Sequence, residues 1–76
     1  MKNIKKVYWL SPAPAKCDTC DTPIQNVFVD GKTEYGPWGC LCMSCFTLGP
    51  GIGKLGTGFG QKYQKQQDGK WLKVEG

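Results

Sequence analysis

The sequence predicts a small zinc-stabilised α+β domain, mostly β, built as a treble-clef-like zinc finger with β-hairpins. Three observations predict it. Two CxxC motifs are present, Cys17-Asp18-Thr19-Cys20 and Cys42-Met43-Ser44-Cys45. Two Asp-Gly pairs, Asp30-Gly31 and Asp68-Gly69, carry the turn signal of a tight hairpin. The chain has only 76 residues, 39% of them apolar and 11 of them Gly. A domain of this size buries only about 60% of the surface its unfolded chain exposes. Each glycine also gives up extra backbone freedom on folding. Such chains rely on disulfides, a metal or a partner.

The five cysteines favour a metal. An odd number argues against a complete disulfide framework. The start of the chain is basic, and Ala13-Pro14-Ala15 resembles a leader cleavage site. The apolar run between them is only Val7-Tyr8-Trp9-Leu10, against the roughly 7–15 residues of a secretory leader. No stretch reaches the roughly 18 apolar residues of a membrane span. The expectation is therefore a cytoplasmic, reducing compartment with no membrane partner, where paired CxxC motifs bind metal more often than they form disulfides.

The expected ligands are Cys17, Cys20, Cys42 and Cys45, holding one Zn2+ per chain. Two thiols three positions apart on a tight turn can reach one tetrahedral ion, with Zn–S bonds of about 2.3 Å. A second pair closes the site once the 21 intervening residues fold back. That spacing lies just outside the usual window of roughly 15–20 residues. Four sulfurs leave no open position, so the site is structural and no enzyme activity is expected. Cys40 is the spare thiol, expected to be a small, partly buried residue near a strand end.

The elements follow in order. Residues 1–16 are a short N-terminal strand rich in Ile4, Val7, Tyr8 and Trp9, then a Pro-containing linker. Residues 17–48 form the four-cysteine lobe. Within it, residues 26–33 are expected to be a hairpin with Asp30-Gly31 at its turn, returning through Thr33 to about Tyr35. One helical turn follows Cys45 and ends at Gly49-Pro50. Residues 49–60 are a Gly-rich loop, and residues 61–76 a second hairpin with Asp68-Gly69 at its tip. Trp38 is expected to pack over the first hairpin. Trp9 and Trp71 are expected to meet if the N-terminal strand joins the last one. A zinc ribbon is the alternative fold. A helix longer than two turns after Cys45 favours the treble clef, and a strand there favours the ribbon.

Absences narrow the chemistry. The chain has no His, which removes histidine acid–base catalysis and Cys2His2 fingers. It has no Arg, so guanine readout in the major groove is not expected. Net charge is +4, but residues 17–45 carry Asp18, Asp21, Asp30 and Glu34 against a single Lys32. Four thiolates and one zinc make this lobe more acidic still. Any basic surface must come from the tails and the Gly-rich half. There, Gly51-Ile52-Gly53-Lys54-Leu55-Gly56 matches GxGxxG, but no long helix follows and no βαβ unit fits, so a nucleotide cofactor is not expected. The segment reads as a close backbone wrap, with an anion-binding nest as the alternative. Lys54, Lys62 and Lys65 beside the stacking faces of Phe59 and Tyr63 form the candidate nucleic-acid contact.

In sequence order the motifs are CDTC, FVDGKT, GPWG, CMSC and GIGKLGTGFGQKY. This run, from Cys17 to Tyr63, resembles small zinc-finger-like proteins encoded by tailed phages and prophages, a group largely without assigned activities. The resemblance covers about 47 of the 76 residues and implies origin and zinc rather than activity. That group often carries His after the second CxxC and Arg in the Gly string. Here Phe46 and Phe59 stand near those places, so neither residue's role carries over. Two functions follow as expectations. One is a module contacting nucleic acid non-specifically through Lys54, Lys62, Tyr63 and Lys65. The other is an adaptor whose acidic face meets a host protein.

Overall fold

Side chains alternate along Val27–Lys32, and that alternation divides the molecule into two cores. Val29 and Gly31 face one side of the sheet; Phe28, Asp30 and Lys32 face the other. A computed structural model describes residues 6–76 of the chain; the expectations for Ile4 and the first lysines lie outside the described residues. Its elements are β1 (Val27–Lys32), β2 (Trp38–Leu41), α1 (Met43–Leu48), β3 (Gly60–Lys65) and β4 (Trp71–Glu75). The four strands form one antiparallel sheet in the order β2-β1-β3-β4.

The first core gathers Cys17, Val29, Leu41 and Phe46, with Ile52 and Leu55 against them. The second gathers Phe28, Tyr63 and Trp71 on the opposite face, with Trp9, Ile24 and Cys40 against them. Phe28 stacks on Tyr63 with ring centroids 5.3 Å apart, and Trp9 meets both rings edge-on. Such pairs each add about 0.5–1.5 kcal/mol beyond their buried area. The N-terminal segment reaches this cluster by pairing with β4. Trp9 donates its amide to Trp71 O, and Lys73 donates to Val7 O. Trp9 and Trp71 thus share one cluster, each with its ring against Phe28.

Three expectations are corrected. Asp30-Gly31 is not a turn but the middle of β1, where Gly31 pairs with Gly39 on one side and Gly60 on the other. A Cβ on Gly31 would stand 2.4 Å from Phe46 Cε1. The glycine is there for close approach, not for a positive φ. The actual turn spans Thr33–Pro37, with Gly36 at φ 105° and Thr33 donating its amide and hydroxyl to Pro37 O. The return strand is therefore β2, not Thr33–Tyr35. Second, Trp38 does not pack over the hairpin; it opens the edge strand β2 and is 44% exposed. Third, Tyr63 is only 8% exposed. It lies across from Phe28 and is core rather than a face for bases.

The Gly-rich segment wraps Phe46, which is fully buried. Gly51 donates to Cys45 O, Ile52 donates to Lys32 O, and a Cβ on Gly51 would stand 2.4 Å from Phe46 Cα. Helix α1 has six residues, fewer than two turns, and stops at Gly49. The second hairpin turns at Gln66–Lys70, with Gly69 at φ 86°.

Candidate metal centre

Each pair of thiols is set by a local turn, and one hydrogen-bonded clamp sets the turns against each other. In the first turn, Cys17 donates its amide to Thr22 O, and Asp21 donates back to Cys17 O at 3.1 Å. Asp21 adopts φ 63°, a left-handed conformation that Asp tolerates better than most residues. A bridge between Lys16 and Pro23 closes the loop. In the second turn, Cys42 caps α1, and its sulfur accepts from the Cys45 amide at 3.5 Å. Cys45 thus sits in the first helical turn beside Cys42.

The clamp is Asp18. Its amide donates to Cys40 O at 2.9 Å, and its carboxylate accepts from Cys40 N at 2.8 Å. This ties the first turn to β2 two residues ahead of Cys42. Sequence reasoning placed Asp18 on an acidic surface. A carboxylate directly after the first ligand, where it can cap a neighbouring edge strand, was the available signal.

The outcome is one cluster. Ligand atoms of Cys17, Cys20, Cys42 and Cys45 all lie within 4.8 Å of one another, and the Cys20 and Cys42 sulfurs are 3.8 Å apart. Sulfurs at the corners of a tetrahedron with 2.3 Å bonds stand about 3.8 Å apart, so the cluster suits a single tetrahedral ion. No sulfur is in a disulfide. The chemistry of the donors fits as well. Thr19 donates its amide to Cys17 Sγ at 3.4 Å, and the Cys20 sulfur lies 3.0 Å from Thr22 Oγ1. Hydrogen bonds to sulfur favour the thiolate, the form that binds metal. At Cys17, burial opposes ionisation, but backbone donors from Cys20, Cys42 and Thr19 outweigh it and the pKa is lowered. At Cys20, the Thr22 side chain and then its backbone bring the pKa down to about 6. Cys45 is raised, first by burial and then by the neighbouring thiols. A divalent cation relieves that crowding of negative charge.

Cys40 points to the other face, among the aromatic core, and burial with the charges of Asp30 and Asp18 pushes its thiol up to about 11. Phe46, the position where a histidine was a point of comparison, fills the core beneath the cluster.

The candidate nucleic-acid residues do not form one surface. Lys62 lies across from Val29 on the metal side of the sheet, and Lys65 across from Trp71 on the other side. Tyr63 is buried between strands, and Lys54 sits in the loop with its ammonium 4.5 Å from the centre of the Phe59 ring. No helix among the described residues is long and apolar enough to cross a membrane. No family model, curated protein or solved structure matches the chain.

Proposed function

We propose that the protein is a structural-zinc module, with one Zn2+ per chain held by Cys17, Cys20, Cys42 and Cys45. The observation that carries this is the convergence of four sulfurs within 4.8 Å from two separate turns. The order of turn, hairpin, turn and helix suits a treble-clef-like lobe, but α1 falls short of the two turns that favour that fold over a ribbon, and no strand directly follows Cys45 to favour the ribbon. Four thiolates fill a tetrahedral ion, which supports a binding role rather than catalysis. Five free thiols suit a reducing cytoplasm. The motif order from CDTC to GFGQKY supports a phage or prophage accessory protein working in its host's cytoplasm.

For the partner, we infer nucleic acid bound without sequence preference. Net charge +4 comes entirely from lysine. Helix α1, MSCFTL, has no basic residue and is too short to serve as a reading helix, which supports backbone contact over base readout. A second reading, an adaptor for a host protein, is favoured by Tyr35 and Leu48, which are 81% and 89% exposed.

Native mass spectrometry of freshly purified, unreduced protein tests the metal. One zinc per chain with no disulfide mass deficit is expected. Iron at the same site, which four sulfurs also suit, would replace zinc in this account. A metal-free chain lighter by about 2 Da per disulfide would end it. Nucleic-acid affinity that does not fall with rising salt would remove the partner proposed here.

A further inference from the structure

The aromatic face of the sheet is closed at one end and open at the other. Trp9 covers Phe28 and Tyr63 at the closed end. At the open end the strands present one cross-strand row. Trp38 on β2 pairs with Lys32 on β1. Lys32 in turn donates its amide to Phe59 O, extending the Gly31–Gly60 register by one residue. Trp38 and Lys32 therefore lie side by side on one face, and Phe59 sits across from Lys32 in the turn that precedes β3. Trp38 and Phe59 are 44% and 37% exposed, and Lys32 and Lys54 are both exposed. Phe59 holds the Lys54 ammonium over its ring, a cation–π contact that fixes a second positive charge at the end of the row. One strand spacing, about 5 Å, separates the indole from the Lys32 position, and the Lys54–Phe59 pair lies in the loop beyond.

We propose that this row binds single-stranded nucleic acid, with a base stacked on Trp38 and backbone phosphates met by Lys32 and Lys54. The proposal rests on the nucleic-acid reading above and names its site and the form of the ligand. Charge complementarity commits the surface to a polyanion. The exposed indole commits it to unpaired bases, because a duplex hides the faces on which an indole stacks. Three carboxylates lie near these residues, one of them Asp18, hydrogen-bonded to Cys40 N beside Gly39 on β2. Asp30 lies one row inward, half-buried between Cys40 and Gln61, and Glu34 lies in the adjoining turn.

The test is fluorescence anisotropy with zinc-loaded full-length protein and labelled strands of about 15 nucleotides, near the top of the usual site-size range. DNA and RNA of the same mixed sequence are compared with the matching duplex. Trp38→Ala should weaken single-strand binding about tenfold, and Trp38→Phe should recover most of it. Lys32→Ala with Lys54→Ala should lower the salt slope by about 1–1.5, while Lys70→Ala, outside the row, should leave stacking-dependent affinity unchanged. Zinc content and near-ultraviolet circular dichroism confirm that each variant is folded. Single-strand binding indifferent to Trp38→Ala, or tighter duplex binding, overturns this site but leaves the nucleic-acid reading standing. No binding of any strand at low salt overturns both, and protein capture through Trp38 would then point to the adaptor.

Discussion

Gly31→Ala tests the packing around the metal lobe. The added Cβ would stand 2.4 and 2.8 Å from two carbons of the Phe46 ring and 3.1 Å from Val29 Cγ1. The ring has little room to retreat. Gly51 already approaches Phe46 so closely that a Cβ there would be 2.7 Å from its carbonyl oxygen, Gly60 lies along the same edge of the ring near Cζ and Cε1, and the ring is fully buried. Overpacking costs about 1–3 kcal/mol, and a ring boxed by backbone places this case near the upper end. Gly31 is not among the glycines with positive φ, so no left-handed strain contributes. A shorter side chain at Phe46 should therefore rescue it. Phe46→Leu is destabilising alone, yet the double variant should be more stable than the two losses added, by about 1–2 kcal/mol. Urea unfolding at fixed free zinc reads this, since bound metal otherwise shifts the baseline. Strict additivity, or a neutral Gly31→Ala, would refute the wedge between β1 and Phe46.

Other expectations follow from the same contacts. Asp18→Ala leaves the Cys40 amide without its partner and loosens one turn from the other. It should cost about 1–2 kcal/mol and speed zinc transfer to a chelator, followed with a colorimetric competitor. Asp30 has its pKa raised from 3.8 by burial, so folding takes up protons there and stability falls as pH rises through its titration. Asp30→Asn should thus stabilise the protein at neutral pH and lose that advantage below about pH 4, measured by thermal unfolding across pH. Acidification should release the metal as protons compete for the thiolates, giving a cooperative loss of structure that Zn2+ restores on neutralisation. With the metal removed at neutral pH, the unfolded chain should lose these environments, so Cys40, half-buried against the aromatic core in the native protein, should alkylate about as fast as the four ligand cysteines in timed mass spectra, and its continued protection would contradict metal-coupled folding.

Local chemistry was the part of this molecule legible in its sequence. Each CxxC pair lies within a single turn, so spacing alone brings its two sulfurs together. Gly49-Pro50 ends α1, and Asp68-Gly69 marks a hairpin tip because Gly69 does take a positive φ. Asp30-Gly31 has the same letters but a different cause. Gly31 is required by a ring that arrives from α1, fifteen positions later in the chain. No local pattern reports such a partner. Tyr63 stands among Gln61, Lys62, Gln64 and Lys65, a polar stretch that hides a core residue. Its burial is decided across the sheet by Phe28 and Trp9. The lysines were visible in number, but strand register alone separates Lys62 from Lys65 and sets Lys32 beside Trp38.

The central claim is that metal binding and folding are one event. Zinc-finger peptides gain on the order of 10–16 kcal/mol from the ion, as much as or more than the whole stability of a typical small domain. The direct measurement is a Zn2+ titration of the reduced, metal-free protein, followed by near-ultraviolet circular dichroism of the Trp9, Trp71 and Tyr63 cluster. The account predicts a weak signal at the start and a sharp endpoint at one zinc per chain. A full native signal before any zinc is added, or a titration with no endpoint at one, would contradict it.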